Sequence, residues 1–133
     1  MSKLILVRGV PGSGKSTFVN SNKRHCDDHI EADMFFIRPN GVYDFNPRML
    51  KDAHEWCFDQ AAWAMCSDGD VYVSNTFTRV WEMQKYIDLA NHHNAELVVY
   101  RCTGNFDNVH GVPSDKVQQM KERFEDCDGE IYV

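Results

Sequence analysis

The chain has no apolar run long enough to cross a bilayer as a helix, which takes about 20 consecutive residues. Its start, Met1-Ser2-Lys3, leads straight into an apolar stretch without the layout of a signal peptide. A soluble, cytoplasmic protein with no membrane partner is therefore expected. No C-x-x-C pair occurs among Cys26, Cys57, Cys66, Cys102 and Cys127, and their number is odd. That argues against a disulfide framework and a zinc site, and for reduced, mostly buried thiols. The histidines lack ligand spacing: His54-Glu55 has no second His four residues after the first, and His92-His93 reads as a helix end in solvent. Basic residues are in deficit, with a net charge of −6. A broad basic surface for duplex nucleic acid is thus not expected, which weakens a nucleic-acid reading without excluding it, since a small basic groove on an acidic protein can still hold one strand end. There is no repeat, low-complexity segment or linker, and 43% of residues are hydrophobic. The composition is that of a globular chain, and 133 residues predict one domain, 1–133, with a real core.

Against these absences stands Gly9-Val10-Pro11-Gly12-Ser13-Gly14-Lys15-Ser16, which fits G-x-x-x-x-G-K-[ST], the phosphate-binding P-loop. Leu4-Ile5-Leu6-Val7 before it suits a buried strand, and Ser16-Thr17-Phe18-Val19 after it can open a helix. Glycines let the backbone turn tightly and bring its N–H groups near a polyphosphate. The helix N-terminus adds unpaired donors and the positive end of a dipole. Lys15 is expected to reach the β- and γ-phosphates of ATP, and the Ser16 hydroxyl to ligate Mg²⁺. The strand–loop–helix setting separates this motif from an ordinary Gly-rich turn.

The rest of the chain reads as alternating strands and helices. Strands are expected at 3–8, 29–32 (weak and polar, ending at Asp33), 71–73, 97–100 and 131–133. Helices are expected at about 15–22, 47–66, 79–92 and 113–126. Asn46-Pro47 supplies an N-cap followed by Pro at the first helical position. Leu50, Ala53, Trp56, Cys57, Ala61 and Ala64 form an apolar face at helical spacing. Trp56 and Trp63 read as packing residues rather than a base-stacking pair. The next helix offers Trp81, Tyr86, Ile87 and Ala90 for burial, and the last offers Val117, Met120 and Phe124. Between Met34 and Phe45, Pro39-Asn40-Gly41 predicts either a small hairpin or an ordered loop over the site. Such an α/β chain makes a parallel sheet with helices on both faces and right-handed crossovers. Ligands bind at the C-terminal ends of such strands. Gly9–Ser16, Asp33 with its loop, Ser74–Thr76 and Thr103–Val112 should therefore converge on one site.

Several of these segments also occur in a familiar order. Gly9–Thr17, Glu31-Ala32-Asp33, Gly41-Val42-Tyr43-Asp44-Phe45, Ala53-His54-Glu55-Trp56, Asn75-Thr76, Trp81-Glu82-Met83 and His110-Gly111-Val112-Pro113 resemble the small P-loop kinases. They look like the polynucleotide 5′-hydroxyl kinase domains of phages and their cellular relatives, and the resemblance covers nearly the whole chain. The resemblance implies a three-layer P-loop kinase fold with a five-stranded parallel sheet in the order 2-3-1-4-5. It implies ATP, Mg²⁺ and transfer of the γ-phosphate to a hydroxyl. Asp33 matches the family's general base, and Thr103–Pro113 its phosphate lid. Three positions depart from the family pattern. Phe36 stands where an Arg holds the acceptor's phosphate, with Arg38 two residues on as a substitute. Neither Ser74 nor Asn75 is acidic, where relatives carry a strand-three Asp. Asp107-Asn108 replaces the lid's Arg-Asn, leaving Arg101 and Arg123 as sequence-near cations.

The leading expectation is an ATP-dependent kinase acting on a nucleic-acid 5′-hydroxyl or a nucleotide, with Lys15 and Asp33 catalytic. Asp33 is read as base, as structural cap or as Mg²⁺ partner beside Ser16. Arg38, Asn75 and Thr76 are the acceptor-side candidates; Asn75 and Thr76 either orient Asp33 or a metal-bound water, or close a turn. A small-molecule or mononucleotide kinase, and a nucleotide-binding module with little or no catalysis, are the alternatives.

Overall fold

The structure is a computed structural model that describes residues 2–106 and 111–133. Asp107, Asn108 and His110, singled out from the sequence, lie outside the described residues. Five strands form one sheet: β1 Lys3–Arg8, β2 Asp28–Ile30, β3 Val71–Asn75, β4 Glu96–Arg101 and β5 Ile131–Tyr132. Their order is β2-β3-β1-β4-β5 and every pairing is parallel. Among the described residues the α-helices are α1 Lys15–Asn22, α2 Leu50–Ala64, α3 Gln84–His92 and α4 Ser114–Arg123. This is the expected P-loop kinase fold.

β1 is central because its run is apolar on both faces, as a strand covered by helices on both sides must be. Leu4 and Leu6 point into a core shared with Ala53, Cys57 and Ala61 of α2 and Tyr86 of α3. Ile5 and Val7 point to the opposite face, against Val19 of α1 and Cys102. In α2 the buried positions are all small, Ala53, Cys57, Ala61 and Ala64, so the helix lies close on the sheet. The bulkier neighbours are displaced outward: Trp56 is only part-buried against the core, and Trp63 is 79% exposed. Trp63 is therefore not a packing residue. Trp81, expected inside, is likewise 75% exposed, because 80–83 form a 3-10 turn before α3 begins and the helical spacing does not extend that far. Cys57 and Cys102 are buried while Cys26 and Cys66 are exposed, so burial of the thiols is the exception. The last helix stops at Arg123, three residues short of expectation.

β2 is the least autonomous strand. It starts and ends one and two residues earlier than the sequence suggests, as Asp28–Ile30, and Ala32–Phe36 turn into a 3-10 helix. Its entry is fixed from below by Asp27. That carboxylate accepts from Arg24 N–H (2.8 Å), from the Arg24 guanidinium (3.0 and 3.2 Å) and from Asp70 N–H (2.8 Å) at the start of β3. Burial alone would raise its pKa, but these donors outweigh it and hold the carboxyl at about 2. Gly69 permits the close approach: a Cβ there would sit 1.9 Å from Cys26 O.

Arg8, at the end of β1, is fully buried. Its guanidinium donates to Phe77 O (2.6 Å) and Glu130 Oε1 (2.9 Å) and lies 4.3 Å from the Phe124 ring centre. Glu130 also accepts from Arg101 at 3.3 Å. One cation thus joins the segments that follow β3 and α4 to the strand that delivers the P-loop.

Candidate functional site

At the C-terminal edge of the sheet, the P-loop, the 3-10 turn after β2, the end of β3 and the segments flanking 107–110 surround a cleft of about 600 Å³. That is the size of a small-molecule site. The expected convergence is therefore observed for every segment within the described residues.

The P-loop owes its shape to glycine. Gly12 (φ +82°) and Gly14 (φ +95°) occupy the left-handed region, and a Cβ on Gly9 would come within 2.3 Å of Ser13 Oγ. Gly14 precedes α1 without any side-chain cap, so the helix presents its first amides with no side chain bonded to them. Lys15 Nζ donates to Gly9 O (2.9 Å) and Val10 O (3.2 Å), folded back over its own loop. Burial pulls the Lys15 pKa down, while the carboxylates of Glu31 and Asp33 pull the other way. The loop is fastened from the far side as well: Gly104 N–H donates to Ser13 O (3.1 Å) and Phe106 N–H to Gly12 O (2.7 Å).

Asp33 sits in the first turn of the 3-10 helix and lines the same cleft as the P-loop. Tyr43 donates its hydroxyl to Asp33 Oδ1 at 3.1 Å. Burial first, then the Asp33 charge and this bond, push the phenol up to about 12. Tyr43 arrives there because Ile37 and Tyr43 pair as an antiparallel bridge, which resolves the 34–45 segment as a small hairpin. The same hairpin turns Arg38 outward, where it is exposed and paired with Asp44. Arg38 does not line the cleft, so the structure does not bring this candidate to the site. Asn75 is buried, and its amide is committed inward: Oδ1 accepts from Ala32 N–H (2.9 Å) and Nδ2 reaches Cys57 Sγ (3.5 Å). Asn75 thus holds the turn that carries Asp33. Thr76 lines the cleft, and its carbonyl accepts from Gly9 N–H at 3.3 Å.

Sequence reasoning missed several residues here. Glu31 Oε2 accepts from Ser74 Oγ at 2.9 Å and lies 3.4 Å from Ser16 Oγ. His29 Nε2 contacts Ser74 Oγ at 2.6 Å, and burial lowers the His29 pKa. Phe36, Phe45, Leu50 and Ala53 form an apolar wall, joined by His54, whose pKa burial also lowers. His54 lies on the same helical face as Leu50, Ala53 and Cys57, a spacing that could have flagged it. Lys116 of α4 also lines the cleft. Arg101 is instead bonded to Asp126, Glu130 and Tyr132, and Arg123 to Thr78; neither lines the cleft. The described residues contain no cluster of three or more His, Cys, Asp or Glu side chains suited to hold a metal by themselves. A cation here would have to share its ligands with a bound phosphate, as the Ser16 hydroxyl and neighbouring carboxylates allow.

A family model described as an AAA domain matches residues 4–105, from β1 through the P-loop to the segment after β4. The chain belongs to this AAA-domain family. Among curated proteins, human NEDD4-binding protein 2 is 30% identical over 92% of the chain. The chain spans only 8% of that protein's length. Among solved structures, a gluconokinase from Sinorhizobium meliloti superposes with a TM-score of 0.64 at 21% identity, covering 98% of this chain and 81% of that one. A chain of the Pnkp1/Rnl/Hen1 RNA repair complex superposes with a TM-score of 0.67 at 17% identity, covering 92% of this chain and 44% of that one. These likenesses show the P-loop kinase fold for this AAA-domain chain. No helix among the described residues is long and apolar enough to cross a membrane.

Proposed function

We propose that this protein is an ATP-dependent phosphotransferase that moves the γ-phosphate of ATP to a hydroxyl. The observation that carries the reading is that the P-loop and Asp33 open onto the same cleft. Phosphoryl transfer needs little covalent chemistry from the protein. It needs positioning and charge stabilisation. The P-loop amides and Lys15 bind the phosphates, and Lys15 is released from Gly9 O and Val10 O to do so. Ser16, with support from the carboxylates, would hold Mg²⁺, which would supply charge neutralisation. Asp33 takes the acceptor's proton, and Tyr43 fixes the direction in which that carboxylate faces. Lys116, which lines the cleft, is the cation that takes up transition-state charge in this reading.

For the acceptor, a nucleic-acid 5′-hydroxyl is the first reading. Its supports are the order of the motifs and the fold likeness to a chain of an RNA repair complex. A specific observation favours a second reading, a nucleoside or another small ring-bearing alcohol. The acceptor side of the cleft is a wall of Phe36, Tyr43 and Phe45, with Arg38 held outside by Asp44. Aromatic faces recognise rings, whereas a strand end needs a cation for its phosphate. One experiment tests both: labelled ATP is offered with a 5′-hydroxyl oligonucleotide, a nucleoside 3′-phosphate, a nucleoside and a polyol. Label on the oligonucleotide supports the first reading, and label confined to the nucleoside supports the second. In either case Asp33→Asn should leave ATP affinity nearly unchanged and cut transfer by about 10²–10⁴-fold. ATP binding with no transfer to any acceptor, indifferent to Asp33→Asn, would replace the kinase with a binding module.

A further inference from the structure

We infer that Glu31, the residue just after β2, is the positioning residue for the metal-binding hydroxyl of the P-loop, in place of an acid on β3. The inference rests on the nucleotide and Mg²⁺ reading given above. It starts from hydrogen-bond directions. A serine hydroxyl has one proton and two lone pairs. Ser74 Oγ lies 2.9 Å from Glu31 Oε2 and 2.6 Å from His29 Nε2. An ionised carboxylate only accepts, so the Ser74 proton goes to Glu31 and its lone pair accepts from His29 Nε2–H. The chain of donors therefore runs toward Glu31 and ends on its charge.

Ser16 Oγ stands 3.4 Å from the same Glu31 oxygen. Giving its proton to Glu31 turns the Ser16 lone pairs away from that carboxylate. This is the orientation that a hydroxyl needs to ligate a cation, because the metal takes a lone pair and the proton must point elsewhere. The negative charge adds a second effect, since a carboxylate just outside the ligand shell favours a divalent ion within it. Ser74 itself is 1% exposed and sits at the end of β3, where the family's acid was expected. The carboxylate comes from the neighbouring strand end instead and is bonded to that very hydroxyl. Asp33, two residues on, accepts from the Tyr43 hydroxyl at 3.1 Å.

The test measures metal binding rather than turnover. Binding of ADP is followed calorimetrically without metal and with Mg²⁺, and Mn²⁺ binding to the protein–ADP complex by electron paramagnetic resonance. Glu31→Gln should weaken Mn²⁺ binding by about 10–100-fold, the usual effect of removing an outer-shell carboxylate. It should not weaken ADP binding in the absence of metal. Restoring an acid on β3, in the double variant Glu31→Gln/Ser74→Asp, should recover most of the Mn²⁺ affinity. Mn²⁺ affinity unchanged in Glu31→Gln overturns the inference. So does an equal loss of metal-free ADP binding and thermal stability, which marks a purely structural residue. A wild-type protein whose ADP binding ignores Mg²⁺ and Mn²⁺ overturns the metal reading itself, and Glu31's task with it.

Discussion

Replacing Asp27 by Asn tests whether the entry to β2 is held electrostatically. The Asp27 carboxyl titrates near 2 in the folded chain against an ordinary 3.8. Its charged form is therefore stabilised by folding. The shift is worth at most about 2.4 kcal/mol at neutral pH, at 1.36 kcal/mol per pKa unit. The Arg24 side chain is 63% exposed, so water screens that part of the cluster and about 1–2 kcal/mol is a better expectation. The sign follows from a depressed folded-state value. The contribution is fully present above pH 3.8, falls to roughly half by pH 3 and is mostly gone as the pH passes 2. Urea unfolding of wild type and Asp27→Asn, followed at pH 7, 5 and 3, reads this as a stability difference that narrows toward acid. A difference of the same size at pH 7 and pH 3 would refute the electrostatic account. It would mean that the carboxylate's shape, not its charge, holds Arg24 and the Asp70 amide.

Three further outcomes follow from the same geometry. Lys15→Ala should weaken ATP binding by about 10–100-fold, the worth of one charge-assisted hydrogen bond of about 1.5–3 kcal/mol, and abolish transfer; calorimetry with ATP and Mg²⁺ measures it, and unchanged affinity would contradict the P-loop's role. Gly9→Ala should destabilise the fold by about 1–3 kcal/mol and impair nucleotide binding, because the added Cβ meets Ser13 Oγ and Cys102 O at 2.3 and 3.0 Å; urea unfolding and ADP titration of the same sample check both effects. Glu130→Gln should cost about 3–5 kcal/mol by leaving the buried Arg8 charge without its counter-ion, read as a drop in unfolding midpoint; a loss under 1 kcal/mol would show that Phe77 O and the Phe124 ring suffice.

The features legible in the sequence are those written locally. β1 and the P-loop are continuous strings of residues whose types dictate their conformation. The Asn46-Pro47 start of the next helical segment is another: the Asn46 side chain accepts from Arg48 N–H as a cap should. β2 was nearly illegible, because Asp28-His29-Ile30 has no strand character of its own and is placed by Asp27 and by its register on β3. Tertiary context overrides propensity there. Trp63 and Trp81 misled for a related reason, since helical spacing does not show that alanines already fill the contact with the sheet. Glu31 was hidden because its partners, Ser16 and Ser74, are 15 and 43 residues away. Arg8 reads as an ordinary charged strand end until Glu130, 122 residues later, is found against it. Arg38 pairs with Asp44 across the hairpin and does not line the cleft, a contact that its local sequence does not show.

The two amide bonds from Gly104 and Phe106 to the P-loop carbonyls make the loop part of a short ladder. Phosphate arriving at the loop must either leave that ladder intact or pull the 104–106 stretch along with it. The phosphate-binding turn and the strand-end segment beside it therefore act as one lever. The amide protons of Gly104 and Phe106 then become gauges of occupancy: their exchange with solvent should slow when nucleotide pins the loop, without either residue touching the ligand through its amide.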